Sequence, residues 1–387
     1  MRLDVSERSK MIVQSEIRNM TLECNRCGGI NLAQGVCDLE VPKVVIDGAC
    51  EAMRQGTNAY TRYDGLQVIR DAIAHKFRTF NKAEIDPDSN IIVSAGATGA
   101  FYSACMALLN PGDEVIIFEP FYQYHVNTVL AVGARPVFVS MRGEDWRIDI
   151  DELRSAINDR TRAVVINTPG NPSGKVFPKE ELKAIGDVCI EKDLFLFSDE
   201  IYEYFVYDGL RHVSPWSLEE LRERTIVISG YSKTFSITGW RLGYAVCDER
   251  WAQMIGYVND LVYVCAPAPL QVGVAKGIME LPPSYYEDVA RIYQAKRDMM
   301  VDALRKVGME PIVPRGAYYI LADVSKIPGV SSKERTLWLL SKTKVASVPG
   351  SAFYSTGNGE NFVRYCFAKD TTILKRSIDG LKMLNTL

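Results

Sequence analysis

The chain has 387 residues, of which 47% are hydrophobic and 24% charged, and its formal net charge is −3 at pH 7. This length exceeds the usual size of one compact core, so we expect two structural units. The net charge is slightly negative and no dense Lys/Arg run occurs. The chain therefore lacks the positively charged patch that nucleic-acid binding requires. The charged N-terminus lacks the apolar region of a secretory signal, and no apolar run reaches membrane-spanning length, which predicts a cytoplasmic protein without membrane contact.

Nine cysteines are scattered through the chain without a pairing pattern, which predicts reduced thiols packed as small hydrophobic side chains. Cys24 and Cys27 form a C-x-x-C pair in "CNRCGG", the spacing of half a zinc site or of a redox pair. No second C-x-x-C or histidine pair follows. We therefore predict no metal site and no redox role for this pair.

Short apolar segments, most of them rich in Val, Ile or Phe, alternate with helix-like segments in the middle of the chain. Apolar runs without polar alternation are typical of strands buried on both faces, and helices between them indicate parallel crossovers. We predict an α/β fold with a large, mostly parallel open sheet flanked by helices. The predicted strands lie in "NIIVSAG", "DEVIIFEP", "RPVFVSM", "RAVVINTPG", "DLFLFSDE" and "TIVISGYSK".

The C-terminal part of the chain has a different pattern. The segment "YYEDVARIYQAKRDMMVDALRKVG" has apolar residues at three- and four-residue intervals and a terminal Gly, which predicts a long amphipathic helix. The alternating or aromatic segments "RGAYYILADVS", "KVASVPGSAFY" and "NFVRYCFA" predict a small sheet beside it. We expect residues 46–285 to form the large domain, and residues 1–45 and 286–387 to form a smaller α+β domain.

Ligands bind outside the carboxyl ends of the strands in open α/β sheets, and unusual polar and glycine residues collect there in this sequence. Gly96, Ala97 and Thr98 lie between a predicted strand and a helix, where free N–H groups favour an anion such as phosphate. Ser232 and Arg241 follow a different strand and offer a hydroxyl and a guanidinium to the same anion. Because the segment matches neither nucleotide-binding glycine pattern, we predict the phosphate of another cofactor, pyridoxal phosphate.

Lys233, in "SGYSKTFSITGWRLGY", follows an apolar strand and offers the amine with which pyridoxal phosphate forms a Schiff base. Asp199 also follows a strand, and its carboxylate would keep the pyridine nitrogen protonated. Tyr202, three residues on, would place its phenol against the ring hydroxyl. Taken alone, Asp199 would be interpreted as a helix cap and Tyr202 as a packing residue.

Two further residues complete the predicted ring pocket. Asn171 lies in "NTPGNPSG", where prolines and glycines fix a rigid loop and leave an amide free to form hydrogen bonds. Tyr122 follows the strand in "DEVIIFEP" and would stack on the ring, with Phe121 as the neighbouring candidate.

Together these segments resemble the fold-type I, class I/II pyridoxal-phosphate-dependent aminotransferases, and their pattern is closest to the branch with kynurenine, glutamine and methionine aminotransferases. The resemblance covers nearly the whole chain, and the linked set "NTPGNPSG", "SDEIYE" and "SKTFSITGWRLGY" is highly specific. The other matching segments are "INLAQGVCDLEVP", "NAYTRYDGLQVIRDAI", "VSAGATGAFYSA" and "VRYCFAKD".

The resemblance implies that Lys233 is the Schiff-base lysine and proton carrier. Arg364 would grip the substrate α-carboxylate as a bidentate fork, with Gly35 close to that carboxylate. Tyr60 would reach the phosphate from the partner subunit of a homodimer with shared active sites. The implied cofactor-binding set is Tyr60, Gly96, Ala97, Thr98, Tyr122, Asn171, Asp199, Tyr202, Ser232, Lys233 and Arg241, and the substrate set is Gly35, Asn171 and Arg364.

The implied reaction is a ping-pong transfer of an amino group from an L-amino acid to a 2-oxo acid. We identify no arginine suited to a side-chain carboxylate, and "LVYVCAPAPLQ" is apolar, which favours aromatic, methionine- or glutamine-like, or broad donors. Arg26 and Arg62 stay open as such partners, and with them the alternative of an aspartate aminotransferase. A β-lyase (C–S lyase) on the same fold is the other alternative.

The three histidines of the chain are His75, His125 and His212. None of them is needed for the predicted chemistry. We expect each of them to be a surface or helix-packing residue without a catalytic role.

Overall fold

The computed structural model describes residues 3–386, which form three sheets surrounded by helices. The strands are β1 (Ile30–Asn31), β2 (Ile91–Ser94), β3 (Glu114–Glu119), β4 (Arg135–Ser140), β5 (Thr161–Asn167), β6 (Phe195–Asp199), β7 (Thr225–Gly230), β8 (Gly243–Val246), β9 (Pro311–Ile312), β10 (Tyr319–Asp323), β11 (Val345–Ala346), β12 (Val348–Pro349) and β13 (Phe362–Cys366). The helices are α1 (Glu7–Met11), α2 (Glu16–Arg26), α3 (Lys43–Arg54), α4 (Gln67–Lys76), α5 (Gly96–Leu108), α6 (Gln123–Ala131), α7 (Ile150–Ser155), α8 (Lys179–Glu191), α9 (Glu249–Tyr263), α10 (Ala268–Glu280), α11 (Pro283–Lys306), α12 (Ser332–Thr343) and α13 (Thr371–Leu381).

The large sheet has seven strands in the order β2-β8-β7-β6-β5-β3-β4. All neighbours are parallel except β8, which runs antiparallel to both β2 and β7. Every residue of β3, β6 and β7 is buried, as expected for strands covered on both faces. The predicted mostly parallel α/β sheet is therefore confirmed, and its six predicted strands are β2 to β7.

The smaller sheets lie in the C-terminal part of the chain. β12, β13, β10 and β9 form an antiparallel four-stranded sheet, and β1 pairs with β11 in a parallel two-stranded one. The predicted long helix is α11, which buries Val289, Tyr293, Met300 and Leu304 on one face. These elements agree with the alternating and helical patterns from which they were predicted.

The N-terminal segment packs onto this C-terminal part. Ile30 pairs with Val345, and the Cys366 N–H donates to the Leu32 carbonyl at 2.7 Å. These contacts support a shared smaller domain of residues 1–45 and 286–387, and this division stays a prediction.

The carboxyl ends of β2, β3, β5, β6 and β7 all lie at one edge of the large sheet. β2 points the same way as β7 because β8 is antiparallel to both. The polar residues that follow these strands therefore converge there. None of the helices within residues 3–386 is long and apolar enough to cross a membrane.

Candidate active site

A cavity of about 950 Å³ opens at this edge of the large sheet. Its wall combines residues that follow five strands with residues of α2, α5 and α6, and of the loop after β1. The predicted site residues that line it are Gly35, Ala97, Thr98, Tyr122, Asn171, Asp199, Tyr202, Ser232, Lys233 and Arg241.

Lys233 follows β7 and faces the cavity, where its Nζ donates a hydrogen bond to the Gly35 carbonyl at 3.4 Å. Burial lowers the pKa of Lys233, and the charge of Arg241 acts in the same direction. Cys37, Cys366 and Asp199 oppose this shift. A lysine with a lowered pKa has a larger fraction of neutral amine near neutral pH, which suits it to nucleophilic or proton-transfer chemistry.

Asp199 is the last residue of β6, and the residue as a whole is only 7% exposed. The carboxylate Oδ2 lies 2.8 Å from His125 Nε2, and Oδ1 accepts from the Ile201 N–H at 3.2 Å. His125 lies on α6, and its ring packs against Phe101 at a centroid distance of 4.8 Å. His125 is therefore a helix-packing residue, one of the two roles expected for it, but its hydrogen bond to Asp199 was not anticipated.

The start of α5 forms the predicted anion site. Its N-terminal residue Ala95 makes no side-chain cap, so the first N–H groups of the helix are available to a ligand. Gly96 has φ +79°, and a Cβ there would overlap the Arg241 guanidinium. Gly96 itself does not line the cavity. Because it has no side chain, the Arg241 guanidinium can lie against it, and Arg241 lines the cavity together with Ala97 and Thr98.

Aromatic side chains flank the cavity. Tyr202 is 4% exposed, and its hydroxyl lies 3.1 Å from that of Tyr319. Tyr122 stacks on Tyr124 with a centroid distance of 5.2 Å and an interplanar angle of 17°. Gly35 is required here, because any Cβ at this position would overlap the Tyr319 hydroxyl.

Arg364, on β13, is completely buried. Its Nη1 donates to Asn171 Oδ1 at 2.8 Å, and its Nη2 donates to the Ala33 carbonyl at 2.6 Å. The guanidinium lies over the Tyr319 ring at 4.2 Å, and its Nε has no partner among the described residues. A buried cation with an unsatisfied donor is suited to an anionic ligand such as a carboxylate.

Tyr60 is not brought into this cavity. Its side chain is 83% exposed on the chain's surface, next to Thr61, whose N–H faces Cys265 Sγ. The structure thus separates this predicted residue from the others within one chain.

Other candidates are accounted for by structural contacts. Arg26 pairs with Glu23, and Arg62 pairs with Asp64 at 2.7 Å. His212 Nε2 lies 2.8 Å from Glu200 with both side chains buried and lies outside any helix, so the expectation of a surface or helix-packing residue is wrong for His212. The nine cysteines are free; Cys24 is buried, and that burial raises its pKa to about 11.

The residues present fit pyridoxal phosphate. The open helix start with Arg241 suits a phosphate, the buried Asp199 suits a protonated ring nitrogen, and Lys233 offers an amine between them. Arg364 does not itself line the cavity, but its guanidinium is hydrogen-bonded to Asn171, which does, and would suit a carboxylate there. Fold and site together define a pyridoxal-phosphate-dependent enzyme that acts on amino acids.

Comparison with known proteins gives the family. The model of the family "Aminotransferase class I and II" matches residues 28–381, and the chain belongs to this pyridoxal-phosphate-dependent family. It is 35% identical to human kynurenine–oxoglutarate transaminase 3, over 91% of this chain and 84% of that protein. It is 34% identical to aromatic-amino-acid aminotransferase 2 of Thermococcus litoralis, over 98% and 97% of the two chains. The structure of N-succinyldiaminopimelate aminotransferase from Mycobacterium tuberculosis superposes with a TM-score of 0.95 at 31% identity, covering 98% and 100%. The chain is an aminotransferase.

Proposed function

We propose that this aminotransferase takes its amino group from an aromatic or another uncharged L-amino acid and transfers it to a 2-oxo acid. The observation that carries this proposal is the apolar and aromatic surface that the cavity shares with Lys233, provided by Ile17, Leu22, Phe101, Tyr122 and Tyr124. The names of the relatives, kynurenine–oxoglutarate and aromatic-amino-acid aminotransferases, support the same donor class.

In this proposal Lys233 exchanges protons with the substrate α-carbon. Its lowered pKa leaves the amine free to accept the α-proton near neutral pH. Bound pyridoxal phosphate supplies a ring that withdraws electrons from that carbon. Asp199, oriented by His125, would hold a proton at the ring nitrogen, and Tyr202 would donate a hydrogen bond to the ring oxygen.

Arg364 and Asn171 would orient the substrate. The guanidinium is fixed by Asn171 Oδ1 and the Ala33 carbonyl, so its Nε and the remaining N–H groups are pre-organised for the α-carboxylate. Holding that carboxylate fixes the α-carbon relative to Lys233. This orientation selects the α-proton as the one that is transferred.

We further propose a homodimer in which Tyr60 reaches the partner subunit's phosphate site. Tyr60 is 83% exposed, and Leu261, at 84%, Val262 and Val264 expose apolar side chains on the nearby end of α9 and the turn after it. Val264 has φ +64°, a strained conformation for a β-branched residue that surrounding contacts must maintain. A second copy of the chain would cover this patch.

The test is an assay of the purified protein with 2-oxoglutarate and a panel of L-kynurenine, phenylalanine, methionine, glutamine and aspartate. We expect turnover with the uncharged donors, and a loss of more than about 1,000-fold in Lys233→Ala, because Lys233 is the one lysine that lines the cavity among residues 3–386. Lys183→Ala is the matched control, since this exposed lysine on α8 pairs with Asp187 far from the cavity. Its turnover should equal that of the unmodified protein.

Two results would contradict the proposed donor class. Rapid turnover of aspartate with none of aromatic donors would assign an aspartate aminotransferase. Release of pyruvate and ammonia from a cysteine conjugate without any 2-oxo acid, faster than transamination, would assign a β-lyase.

A further inference from the structure

Helix α9 borders both the loop that carries Tyr60 and the anion site. Residues 57–66, which we call the Tyr60 loop, connect α3 to α4 and contain no helix or strand. A Cβ at Gly256 of α9 would overlap the Tyr63 ring, so this glycine lets the loop lie directly against the helix. Two turns later, the Tyr263 ring lies against Gly99 of α5, the helix whose start forms the anion site.

Asn259 is a completely buried amide on the same face of α9, three residues after Gly256. Its Nδ2 donates to the Tyr63 carbonyl at 2.9 Å and to the Val93 carbonyl at 3.2 Å. A side-chain amide nitrogen has two N–H donors, and here it bonds two different backbone segments. Asn259 thus joins the Tyr60 loop to β2.

Val93 is the residue of β2 to which the loop is attached. Its N–H donates to the Asp64 carbonyl at 3.1 Å, and its carbonyl accepts from Asn259. Gly65 has φ +99°, and a Cβ there would overlap the Val93 side chain, so the loop lies close along the strand. Gly96, three residues after Val93, begins α5. The strand that holds the Tyr60 loop therefore leads directly into the chain's own anion site.

The donor end of Asn259 carries its contribution to this contact. Its Oδ1 has no hydrogen-bond partner among the described residues, whereas Nδ2 bonds both carbonyls. A buried carbonyl that loses its donor keeps the full cost of desolvation. Without the amide, the backbone at Tyr63 would be less tightly fixed, three residues from Tyr60.

We propose that Asn259 is a positioning residue that holds Tyr60 in place for the partner subunit's phosphate site. This inference rests on the proposed homodimer, in which Tyr60 reaches that site, and it names the group that fixes the loop. An exposed side chain on an irregular loop loses conformational freedom when it binds an anion, and a loop that is already fixed lowers that entropic cost. Asn259 does not line the cavity, so it would act on the cofactor through Tyr60.

The experiment is a double-mutant cycle on cofactor binding. Apoenzyme of the unmodified protein, Asn259→Ala, Tyr60→Phe and the double variant is titrated with pyridoxal phosphate and followed by absorbance, at a concentration where sedimentation shows a dimer. Asn259→Ser, which keeps a hydroxyl donor, goes through the same cycle and decides the question if Asn259→Ala does not fold. The matched control is Asn90→Ala, because Asn90 Nδ2 also donates to a backbone carbonyl, that of Cys247 at 3.0 Å, but lies at the opposite end of β2.

Tyr60→Phe should weaken cofactor binding by about 10-fold, since a hydrogen bond to a charged phosphate is lost. Asn259→Ala should weaken it by about 5-fold in the unmodified background but by less than about 2-fold in the Tyr60→Phe background, because its effect passes through the Tyr60 hydroxyl. Asn259→Ser should show a smaller loss with the same dependence on Tyr60. Asn90→Ala should match the unmodified protein.

An equal loss from the Asn259 substitution in both backgrounds, or no loss in either, would overturn the assignment of Asn259 and leave the proposed role of Tyr60 intact. Such an equal loss would indicate a general effect on stability, which thermal unfolding of the four proteins would record. If Tyr60→Phe binds the cofactor as tightly as the unmodified protein, or if that protein is a monomer, the proposed shared phosphate site is wrong and the assignment of Asn259 with it.

Discussion

At the scale of single residues, the site depends on one carboxylate with both oxygens fixed. Asp199 is held by His125 through Oδ2 and by the Ile201 N–H through Oδ1. Since these partners sit on α6 and on the turn after β6, the carboxylate cannot rotate without breaking a hydrogen bond. In the proposed function His125 is a positioning residue, because it would act on the cofactor only through Asp199.

Replacing His125 by Ala should lower kcat/KM by about 10- to 100-fold, since Asp199 Oδ2 would be left buried without its donor. His125→Gln, which retains an N–H donor, should recover part of this loss. Steady-state kinetics and the absorbance of the bound cofactor against pH would measure both effects. His75→Ala, on α4, serves as control, and an equal loss in this variant would indicate a general effect on folding.

Sequence reasoning located Asp199 and Lys233 because both follow strands, a position that can be counted along the chain. It missed His125, which lies on a helix and reaches the cavity only through the packing of that helix. His125 and Asp199 are 74 residues apart, so no local sequence pattern connects them.

At the scale of elements, the anion site depends on two glycines in different elements. Gly96 leaves room for Arg241, and Gly243, the first residue of β8, leaves room for the backbone of Ala97 at the start of α5. A side chain at Gly243 would push the helix start away from the sheet, and one at Gly96 would displace the Arg241 guanidinium. The anion site therefore depends on the close contact between the start of α5 and β8, and not only on the loop between β2 and α5.

The variant Gly96→Ala should bind pyridoxal phosphate about 10-fold more weakly. Its φ of +79° costs roughly 1–2 kcal/mol for a residue with a Cβ, and the new methyl group displaces Arg241. Titration of the apoenzyme with cofactor, followed by absorbance, gives the dissociation constant. Gly357→Ala is the control, because nothing lies within 4 Å of its Cβ position and its φ is not positive. Equal affinities for both variants would contradict the argument.

Six of the seven strands of the large sheet were predicted from the sequence, but β8 was not. β2 to β7 are apolar runs of four to seven residues bounded by polar ones, whereas β8 starts with glycine and overlaps the end of the segment that contains Lys233 and Arg241. The pairing of β8 with β2 joins residues far apart in sequence, which local periodicity cannot reveal.

At the scale of the whole molecule, the exposed apolar end of α9 and the exposed Tyr60 are the features that one chain leaves unexplained. Leu261 is 84% exposed, and Tyr63 packs edge to face on Tyr257 of the same helix at 5.4 Å. The loop with Tyr60 and the helix thus form one surface. If a second copy of the chain covered this surface, apolar area would be removed from water twice, once on each subunit of a two-fold dimer.

Leu261→Asp should weaken the homodimer by about 30-fold or more, because it places a charge in an apolar contact that occurs twice. Sedimentation velocity over a range of concentrations measures this, and activity per chain should fall on dilution. Val330→Asp is the matched control, since Val330 is 86% exposed on the smaller domain and away from this surface. A monomer that is fully active before any substitution would refute the dimer.

The resemblance correctly predicted the family. The structure of a single chain cannot show which residues a partner subunit would contribute to the site. Tyr60 lies outside the cavity in the isolated chain. Its predicted role depends on a contact that the fold of one subunit does not contain.

The hydrogen bond between Arg364 and Ala33 also sets an order in time. These residues are 331 positions apart, a stretch that takes roughly 15 to 65 s to synthesise at 5–20 residues per second. The anion site of Gly96 and Arg241 leaves the ribosome well before Arg364 does. In the proposed function, a nascent chain can therefore assemble its cofactor end first, whereas Arg364 can bind the substrate carboxylate only after β13 has been synthesised.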